Sequence, residues 1–195
     1  MFLLQRPSQQ SIDRFVHASL ELPLSYAPLG IAKEDTPGGE LDEIVATIGY
    51  GEVDFQRARA ALMEWKQFEM GWVETHPRLA PVAVGTVVAV LIRHLGFWSL
   101  NGARVIYTVG DSDPSRHFGF AYGTLPNHAE AGEEVFEVLR DPRTDDVQYR
   151  IRAKSWPNTT LAQIGQPIVR VLQARFRRHS CAAMERATGN GHTHR

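Results

Sequence analysis

The chain has 195 residues, of which 43% are hydrophobic and 22% are charged, and its formal net charge is -1. This length and composition predict one globular domain with a substantial core, and the near-neutral charge gives no basic excess for binding nucleic acid. The chain contains 1 cysteine, Cys181, which excludes an internal disulfide and a zinc site built from several cysteines.

The first forty residues predict a short helix followed by a loop. Apolar residues recur at helical spacing across residues 8–22, and Ser8 or Ser11 is available as the N-cap. Prolines and glycines crowd between Leu24 and Gly39, so residues 1–40 are expected to form an extension of the domain. The chain start has no cationic region and no long apolar region, which argues against a signal peptide and favours a cytoplasmic location.

The central part of the chain begins with a strand and a helix. Alternating apolar residues predict a strand from Ile44 to Ile48. The segment GEVDFQRARAALMEWKQFEM then repeats apolar residues at three- and four-residue steps, which predicts one amphipathic helix that ends at Gly71. Trp65 falls on the apolar face of this helix and is expected in the core.

After Gly71 the apolar period changes to two, which predicts antiparallel strands joined by short turns. In the last strand Val147 and Tyr149 face one way, whereas Arg150 and Arg152 face the other. One face of the sheet is therefore expected to be covered and the other to be wet. The predicted strands are Trp72–His76, Thr86–Leu95, Leu100–Gly110, Arg116–Leu125, Glu133–Arg140 and Val147–Ser155.

The last part of the chain predicts a long helix from Asn158 to about Ala187, with an apolar stripe that covers the sheet. The whole order predicts the α+β class and a helix-grip fold, in which a curved antiparallel sheet of about seven strands wraps a long C-terminal helix. Residues 1–187 would form this single domain, and the tail 188–195 is expected to be disordered. No apolar run is long enough for a membrane span.

Such an architecture can leave a cavity between sheet and helix, and several polar side chains are predicted to face it. Glu134 shares its face with Phe136, and burial there would raise its pKa and suit it to general acid or base catalysis. A bulge or a later strand start would instead place Glu134 at the rim. Tyr107, Tyr122 and Tyr149 share faces with apolar residues, so they either orient a ligand through their hydroxyls or belong to the core.

Histidines and an arginine supply further candidates. His128 and His117 flank a turn close to the glutamates of residues 130–134, which suggests an acid/base cluster or a metal site. That spacing matches no metal template, so no metal is expected. His94 continues an inward-facing row and either contacts a ligand or is structural, while Arg104 either binds a carboxylate or other anion or is solvated.

Several signatures of enzymes are missing from the sequence. The chain contains neither a Gly-x-Ser-x-Gly nucleophile motif nor a Gly-x-x-x-x-Gly-Lys phosphate loop. The pair Gly49 and Gly51 lacks the third glycine of a dinucleotide site. No cofactor is therefore expected, and no reaction is identified.

One stretch, FGFAYGTLPNHAEAGEEVFEV, is highly distinctive. With IGYGEVDFQRARAALMEWKQFEMGWVE, RHLGFWSLNGARVIYTV and QPIVRVLQARF, it resembles the bacterial and plant family known as domain of unknown function 1990, from about Tyr26 to Phe176. The resemblance implies a layout similar to the helix-grip proteins of the Bet v 1 and START type, which hold lipids, hormones and polyketides; it implies no activity, cofactor or catalytic residue. Asn127 departs from the pattern, since a glycine is commoner there. The matching residues are Gly49, Gly51, Phe55, Ala58, Trp65, Arg104, Tyr122, Gly123, Thr124, Leu125, Pro126, His128, Glu130, Gly132, Glu133, Glu134, Phe136 and Pro167.

Three hypotheses for function remain. The first is a protein that binds an apolar or aromatic small molecule, with Tyr107, Tyr122, His128 and Glu134 at the polar end of the cavity. The second is an enzyme on the same scaffold, a cyclase, hydrolase or isomerase that uses Glu134 or His128 as general acid or base. The third is an interaction module without a ligand, for example a homodimer formed through a sheet edge or the basic face of the last helix.

Overall fold

A computed structural model of the chain describes residues 2–33, 41–94, 96–110, 112–158 and 166–189. Its helices and strands follow the predicted order, with one further short strand at the N-terminus. The elements are β1 (Phe2–Leu3), α1 (Gln9–Ser19), β2 (Asp42–Tyr50), α2 (Gly51–Met63), a 3-10 turn (Lys66–Phe68), β3 (Val73–His76), β4 (Val87–His94), β5 (Phe97–Val109), β6 (His117–Thr124), β7 (Glu130–Arg140), β8 (Asp146–Pro157) and α3 (Gln166–Thr188).

The strands form one curved antiparallel sheet in the order β2-β8-β7-β6-β5-β4-β3, with β1 paired to β5 off this path. The chain therefore places its first long strand beside its last strand and fills the rest of the sheet by consecutive hairpins. The helices α2 and α3 pack on one face of this sheet, called the inner face. This arrangement confirms the predicted helix-grip fold.

The main core lies between the inner face and the two helices. It is dominated by aromatic and aliphatic side chains from α2, the 3-10 turn and strands β5 to β8, all of them withdrawn from water. Such burial is the main stabilising contribution in a domain of this size. Its largest members are Phe55, Leu62, Trp65, Phe68, Phe120, Phe136 and Tyr149.

The helix α2 ends earlier than its apolar period predicts. It stops at Met63, and Trp65 then adopts a left-handed backbone conformation with φ 60. This reversal starts the 3-10 turn and lets Trp65 and Phe68 both reach the core. The indole nitrogen of Trp65 donates a hydrogen bond of 2.8 Å to the carbonyl of Ala80. The prediction that Trp65 lies in the core is confirmed, whereas the single helix to Gly71 is wrong.

The opposite, outer face of the sheet is not simply wet, as the alternation in the last strand predicted. Helix α1 buries Ile12 against Leu91 and Leu100 on this face. Residues 24–33, called the N-terminal strap, bury Ala32 against β6 and β7. The N-terminal extension therefore covers the outer face over the middle strands.

The start of α1 confirms the predicted N-cap, and a threonine anchors the end of α3. The Ser8 hydroxyl accepts a hydrogen bond from the backbone of Ser11 at the start of α1. At the other end of the chain, the hydroxyl of Thr188 donates to the carbonyl of Ile48 at 2.7 Å and ties the end of α3 to β2. Residues 159–165 and 190–195, which include most of the predicted tail, lie outside the described residues. None of the described helices is long and apolar enough to cross a membrane.

Candidate functional site

Two glutamates of β7, Glu130 and Glu134, lie on the inner face at the same side of the sheet as Phe136. Glu134 lies directly opposite Tyr122 of β6, and the Tyr122 hydroxyl donates a hydrogen bond of 2.7 Å to its carboxylate. Glu130 accepts a hydrogen bond of 2.5 Å from the side-chain amide of Gln173 on α3. These two carboxyl groups and their donors are called the inner acidic pair.

Aromatic rings surround the Tyr122 end of this pair. The ring of Tyr122 lies 5.5 Å from that of Phe136 and 6.2 Å from that of Phe68. Phe176 of α3 completes the group at 5.5 Å from Phe68, and it remains partly exposed. The inner acidic pair therefore combines carboxyl groups with an apolar aromatic wall.

This environment shifts the ionisation of both carboxyl groups. Burial and, to a lesser extent, the neighbouring Glu130 raise the pKa of Glu134 to about 7, although the hydrogen bond from Tyr122 opposes the change. Burial likewise raises the pKa of Glu130 to about 7 against the hydrogen bond from Gln173. Both side chains keep some solvent-accessible surface. The pKa values of both groups therefore lie close to neutral pH, where a carboxyl group can donate or accept a proton.

The outer face of β7 carries another glutamate, Glu133, whose surroundings differ from those of Glu130 and Glu134. Glu133 is 1% exposed and accepts hydrogen bonds from four groups. The hydroxyls of Tyr26 and Tyr107 donate at 2.8 and 3.2 Å, and the backbone nitrogens of Gly30 and Ala32 donate at 2.6 and 3.1 Å. Since Tyr26, Gly30 and Ala32 belong to the N-terminal strap, Glu133 fixes this segment to the sheet.

Glu137 lies four residues further along the same outer face of β7 and is also 1% exposed. Arg150 and Arg152 of β8 each donate to its carboxylate at 2.7 Å, and His117 lies 3.5 Å away. Burial acts to raise the pKa of Glu137, but His117 and the two arginines together lower it to about 2. Glu137 is therefore a fully ionised structural carboxylate at neutral pH.

The distinctive motif around residue 123 serves the outer face as well. A Cβ atom on Gly123 would lie 2.5 Å from the Tyr26 hydroxyl, so a larger residue would collide with the strap. The Thr124 hydroxyl lies 2.6 Å from that of Ser25 and accepts a hydrogen bond from Gly132 at 2.9 Å. Part of this stretch thus fixes the N-terminal strap and does not line the inner face.

Tyr107 does not join Tyr122, so its predicted place at the polar end of the cavity is wrong. The pairing of β5 with β6 shifts between Val105 and Tyr107, where a bulge adds one residue to β5. Val105 remains on the inner face, whereas Tyr107 turns to the outer face and bonds to Glu133. Periodicity across residues 105–107 gives no sign of this irregularity.

His128 and His117 are likewise not brought together with the glutamates as one cluster. The His128 ring is buried in the turn between β6 and β7, where its Nδ1 accepts a hydrogen bond of 3.0 Å from the backbone of Glu130. Burial lowers the pKa of His128 to about 4, so the ring is neutral at pH 7. His117 lies on the outer face beside Glu137. Among the described residues, no three acidic, histidine or cysteine side chains form a group that could hold a metal ion.

His94 keeps its predicted inward direction, at the end of β4. It lies far from the inner acidic pair. Thr86, just before β4, is level with Tyr122 across the sheet, and His94 is eight residues further on, roughly 26 Å at about 3.3 Å per residue. Burial lowers the pKa of His94. The sheet therefore separates His94 from Glu134, and a small ligand cannot touch both.

Arg104 and Tyr149 have structural partners. The guanidinium of Arg104 points to the outer face and donates at 2.6 Å to the carbonyl of Leu20, at the C-terminal end of α1. The Tyr149 hydroxyl lies on the inner face 2.8 Å from the Ser180 hydroxyl and is fully buried under α3. Of the predicted site residues, only Tyr122 and Glu134 lie in direct contact with each other at the inner acidic pair.

Two members of the inner acidic pair were not predicted as ligand contacts from the sequence. Glu130 has the same parity as Glu134 in β7, so an earlier strand start would have placed it on the inner face. Gln173 lies three residues before Phe176, an apolar residue of the predicted stripe, and this spacing places both on one face of the helix. No sequence signal, however, relates Gln173 to Glu130.

Comparison with known sequences identifies a family and close relatives. Residues 25–183 match the family described as Domain of unknown function (DUF1990). A UPF0548 protein of Dictyostelium discoideum is 34% identical over 209 residues, with 97% of each chain covered. A UPF0548 protein of Deinococcus radiodurans is 33% identical over 201 residues, covering 97% of this chain and 100% of that protein.

Among solved structures, the protein TTHA0849 from Thermus thermophilus superimposes with a TM-score of 0.52. The match covers 79% of this chain and 100% of that chain at 9% sequence identity. At this identity the likeness extends to the fold alone.

Proposed function

Because this chain belongs to the DUF1990 family, whose description assigns no activity, we propose from the geometry of the inner face that the protein binds a small apolar or aromatic molecule. The body of the ligand would pack against the partly exposed ring of Phe176 on α3, at the edge of the core that contains Phe68 and Phe136. Its polar end would meet the hydroxyl of Tyr122 and the carboxyl of Glu134, with Glu130 alongside.

The observation that carries this proposal is the difference between the two faces of β7. On the outer face, Glu133 receives four hydrogen bonds and Glu137 receives two from arginines. On the inner face, Glu134 and Glu130 each receive one side-chain hydrogen bond from the described residues. A carboxyl group held at an apolar face without full compensation destabilises a fold, and such groups concentrate at functional sites.

The chemistry of the ligand follows from these acceptors. A hydroxyl or amine on the ligand can donate to Glu134, whereas an anionic group would meet the charge of the inner acidic pair. Ligand pockets commonly combine an apolar lining with a few convergent polar groups, which is the composition of this part of the inner face.

The first test is to identify what the native protein carries and to screen for ligands. Mass spectrometry of the purified protein under native conditions would detect a bound molecule, and thermal shift measurements would screen lipids and aromatic metabolites. We expect a ligand that raises the melting temperature in the wild type. If no compound raises it and no molecule co-purifies, the proposal fails.

A matched series tests the polar end. At pH 7, 2-naphthol is expected to bind about tenfold more tightly than 2-methoxynaphthalene, because only the former donates a hydrogen bond to Glu134. Tyr122→Phe and Glu134→Leu should remove this preference. Glu69→Gln, a change at an exposed position, is the control and should retain it. Equal affinities in the wild type would place the polar end elsewhere.

A second candidate function is catalysis at the same place, favoured by the pKa of about 7 of Glu134. A carboxyl group with this pKa suits general acid or base catalysis of an isomerisation, cyclisation or hydrolysis. The variant Glu134→Gln would then still bind a co-purified ligand, but it would convert that ligand at least about a hundredfold more slowly than the wild type does. If the wild type leaves every retained ligand unchanged, binding alone remains.

A further inference from the structure

The exposed side of α3 is strongly basic. Residues 166–189 contain five arginines and one acidic residue, Glu185, in a chain whose formal net charge is -1. Arg170, Arg175, Arg178 and Arg186 are exposed. At about 100° per residue these four lie within an arc of roughly 160°, and at 1.5 Å per residue they span about 24 Å. They are called the arginine stripe.

The arginine stripe is poorly compensated by acidic residues. Within the described part of the chain, no carboxylate lies within ion-pair distance of Arg170, Arg178 or Arg186. Arg175 lies over the ring of Trp72 at 4.6 Å. On the neighbouring helix α2 and the turn that follows, acidic residues have partners close by. These pairs are Glu52 with Arg140, Asp54 with Arg57, and Glu64 and Glu69 with Lys66.

Apolar side chains are exposed beside the stripe. Val171 is 68% exposed at the centre of its arc. On α2, which packs against α3, Val53 and Met63 are 63% and 49% exposed. Since both helices pack on the inner face of the sheet, their exposed residues face outward from the same layer. Uncompensated arginines thus share the exposed side of α3 with Val171, and the adjoining helix α2 exposes further aliphatic side chains.

We infer that this surface docks on the anionic headgroups of a lipid bilayer. Arginines at such a surface are attracted by the negative potential, and aliphatic side chains enter the boundary of the acyl region. The side of α3 that carries Ser180, Ala183 and Met184 is buried against the rest of the domain, so the arginine stripe lies along the exposed side of a docked helix. A helix that reads a nucleic acid instead enters a groove, which requires it to project from its domain.

Vesicle sedimentation tests this inference with the full-length protein. The experiment compares strongly anionic vesicles, made of phosphatidylcholine with about 30% phosphatidylglycerol, with vesicles of pure phosphatidylcholine. We expect binding only to the anionic vesicles, with loss of binding when salt is raised to about 0.5 M. The double variant Arg170→Gln/Arg178→Gln should bind about 30-fold more weakly, because each arginine near an anionic surface contributes about fivefold.

The matched control is Arg93→Gln/Arg143→Gln, which removes the same charge from exposed positions outside the helical layer and should bind as the wild type does. Circular dichroism would establish that all variants retain the fold. Three results would each overturn the inference: no binding of the wild type to anionic vesicles, an equal loss in both double variants, or a preference of the wild type for a duplex DNA over the vesicles.

Discussion

The strand β7 carries two glutamates on each of its faces, and the two pairs behave in opposite ways. Glu133 and Glu137 on the outer face are almost fully buried and are surrounded by donors and arginines. Glu130 and Glu134 on the inner face keep some exposure and have few partners. The pKa of Glu137 is lowered to about 2, whereas that of Glu134 is raised to about 7. Burial alone therefore does not determine the state of a carboxyl group; the supply of compensating donors does.

This comparison separates structural acids from candidate functional ones within one strand. The outer pair attaches the N-terminal strap and joins β7 to β8, so its loss should damage the fold. The inner pair costs stability as pH rises above about 4.5, so its loss should leave the fold intact or improve it. Substitutions on the two faces are expected to differ in sign as well as in size.

Glu137→Gln should give the largest effect. It removes the buried carboxylate that Arg150 and Arg152 share, and we expect the free energy of unfolding at pH 7 to fall by about 4 kcal/mol. Because the pKa of Glu137 is lowered in the fold, its contribution is present above the pKa of the unfolded chain and is lost as pH falls toward about 2. Urea denaturation at pH 7 and pH 3 measures the difference. An equal loss at both pH values would contradict the assignment.

Glu133→Gln should weaken the attachment of the N-terminal strap. The amide cannot accept the hydrogen bonds of all four donors, so the free energy of unfolding should fall by about 3 kcal/mol. Limited proteolysis should then cut the chain within residues 24–33 faster than in the wild type, while the rest of the domain remains resistant. Unchanged proteolysis of the strap would show that other contacts hold it.

Glu134→Gln should act in the opposite direction. The pKa of Glu134 is raised in the fold, so the wild type loses stability as pH rises from about 4.5 to about 7. The variant should be more stable than the wild type by about 2 kcal/mol at pH 8 and equal to it at pH 4. Thermal or urea denaturation between pH 4 and pH 8 measures how the stability difference between the variant and the wild type changes with pH. A variant that is less stable at pH 8 would place Glu134 among the structural acids.

Arg104→Met should give the smallest effect. It removes the hydrogen bond to the Leu20 carbonyl and the favourable interaction with the C-terminal end of α1, which together contribute about 1 kcal/mol. Ligand binding at the inner face should not change, since Arg104 lies on the outer face. Isothermal titration with any ligand found in the screen is the check, and weaker binding in this variant would contradict its structural role.

The fold was largely predictable from local pattern. The change of period after Gly71, the turn residues between strands and the capping residue Ser8 are local signals, and the observed elements follow them closely. The early end of α2 was not predictable, because the left-handed conformation of Trp65 is chosen by the contacts that Trp65 and Phe68 make with the sheet. The cover over the outer face also escaped prediction, since a loop rich in proline and glycine gives no periodic signal.

The candidate site was predicted only in part, for the same reason. The parity of β7 and β6 placed Glu134 with Tyr122, and the structure joins them. The bulge in β5 moved Tyr107 to the other face, and the turn after β6 gave His128 a backbone partner. The hydrogen bond from Gln173 to Glu130 joins residues more than forty positions apart in the chain, so no local pattern predicts it.

By itself the sequence determined the order of strands and helices and the face on which Glu134 lies, because alternation and turn chemistry act between residues a few positions apart. Only the tertiary structure decided which glutamates are compensated, since the donors come from the strap, from β8 and from α3. Hydrogen-bond partners brought together from distant parts of the chain leave no periodic trace in it, yet they decide which carboxyl group holds the fold and which is available to a ligand.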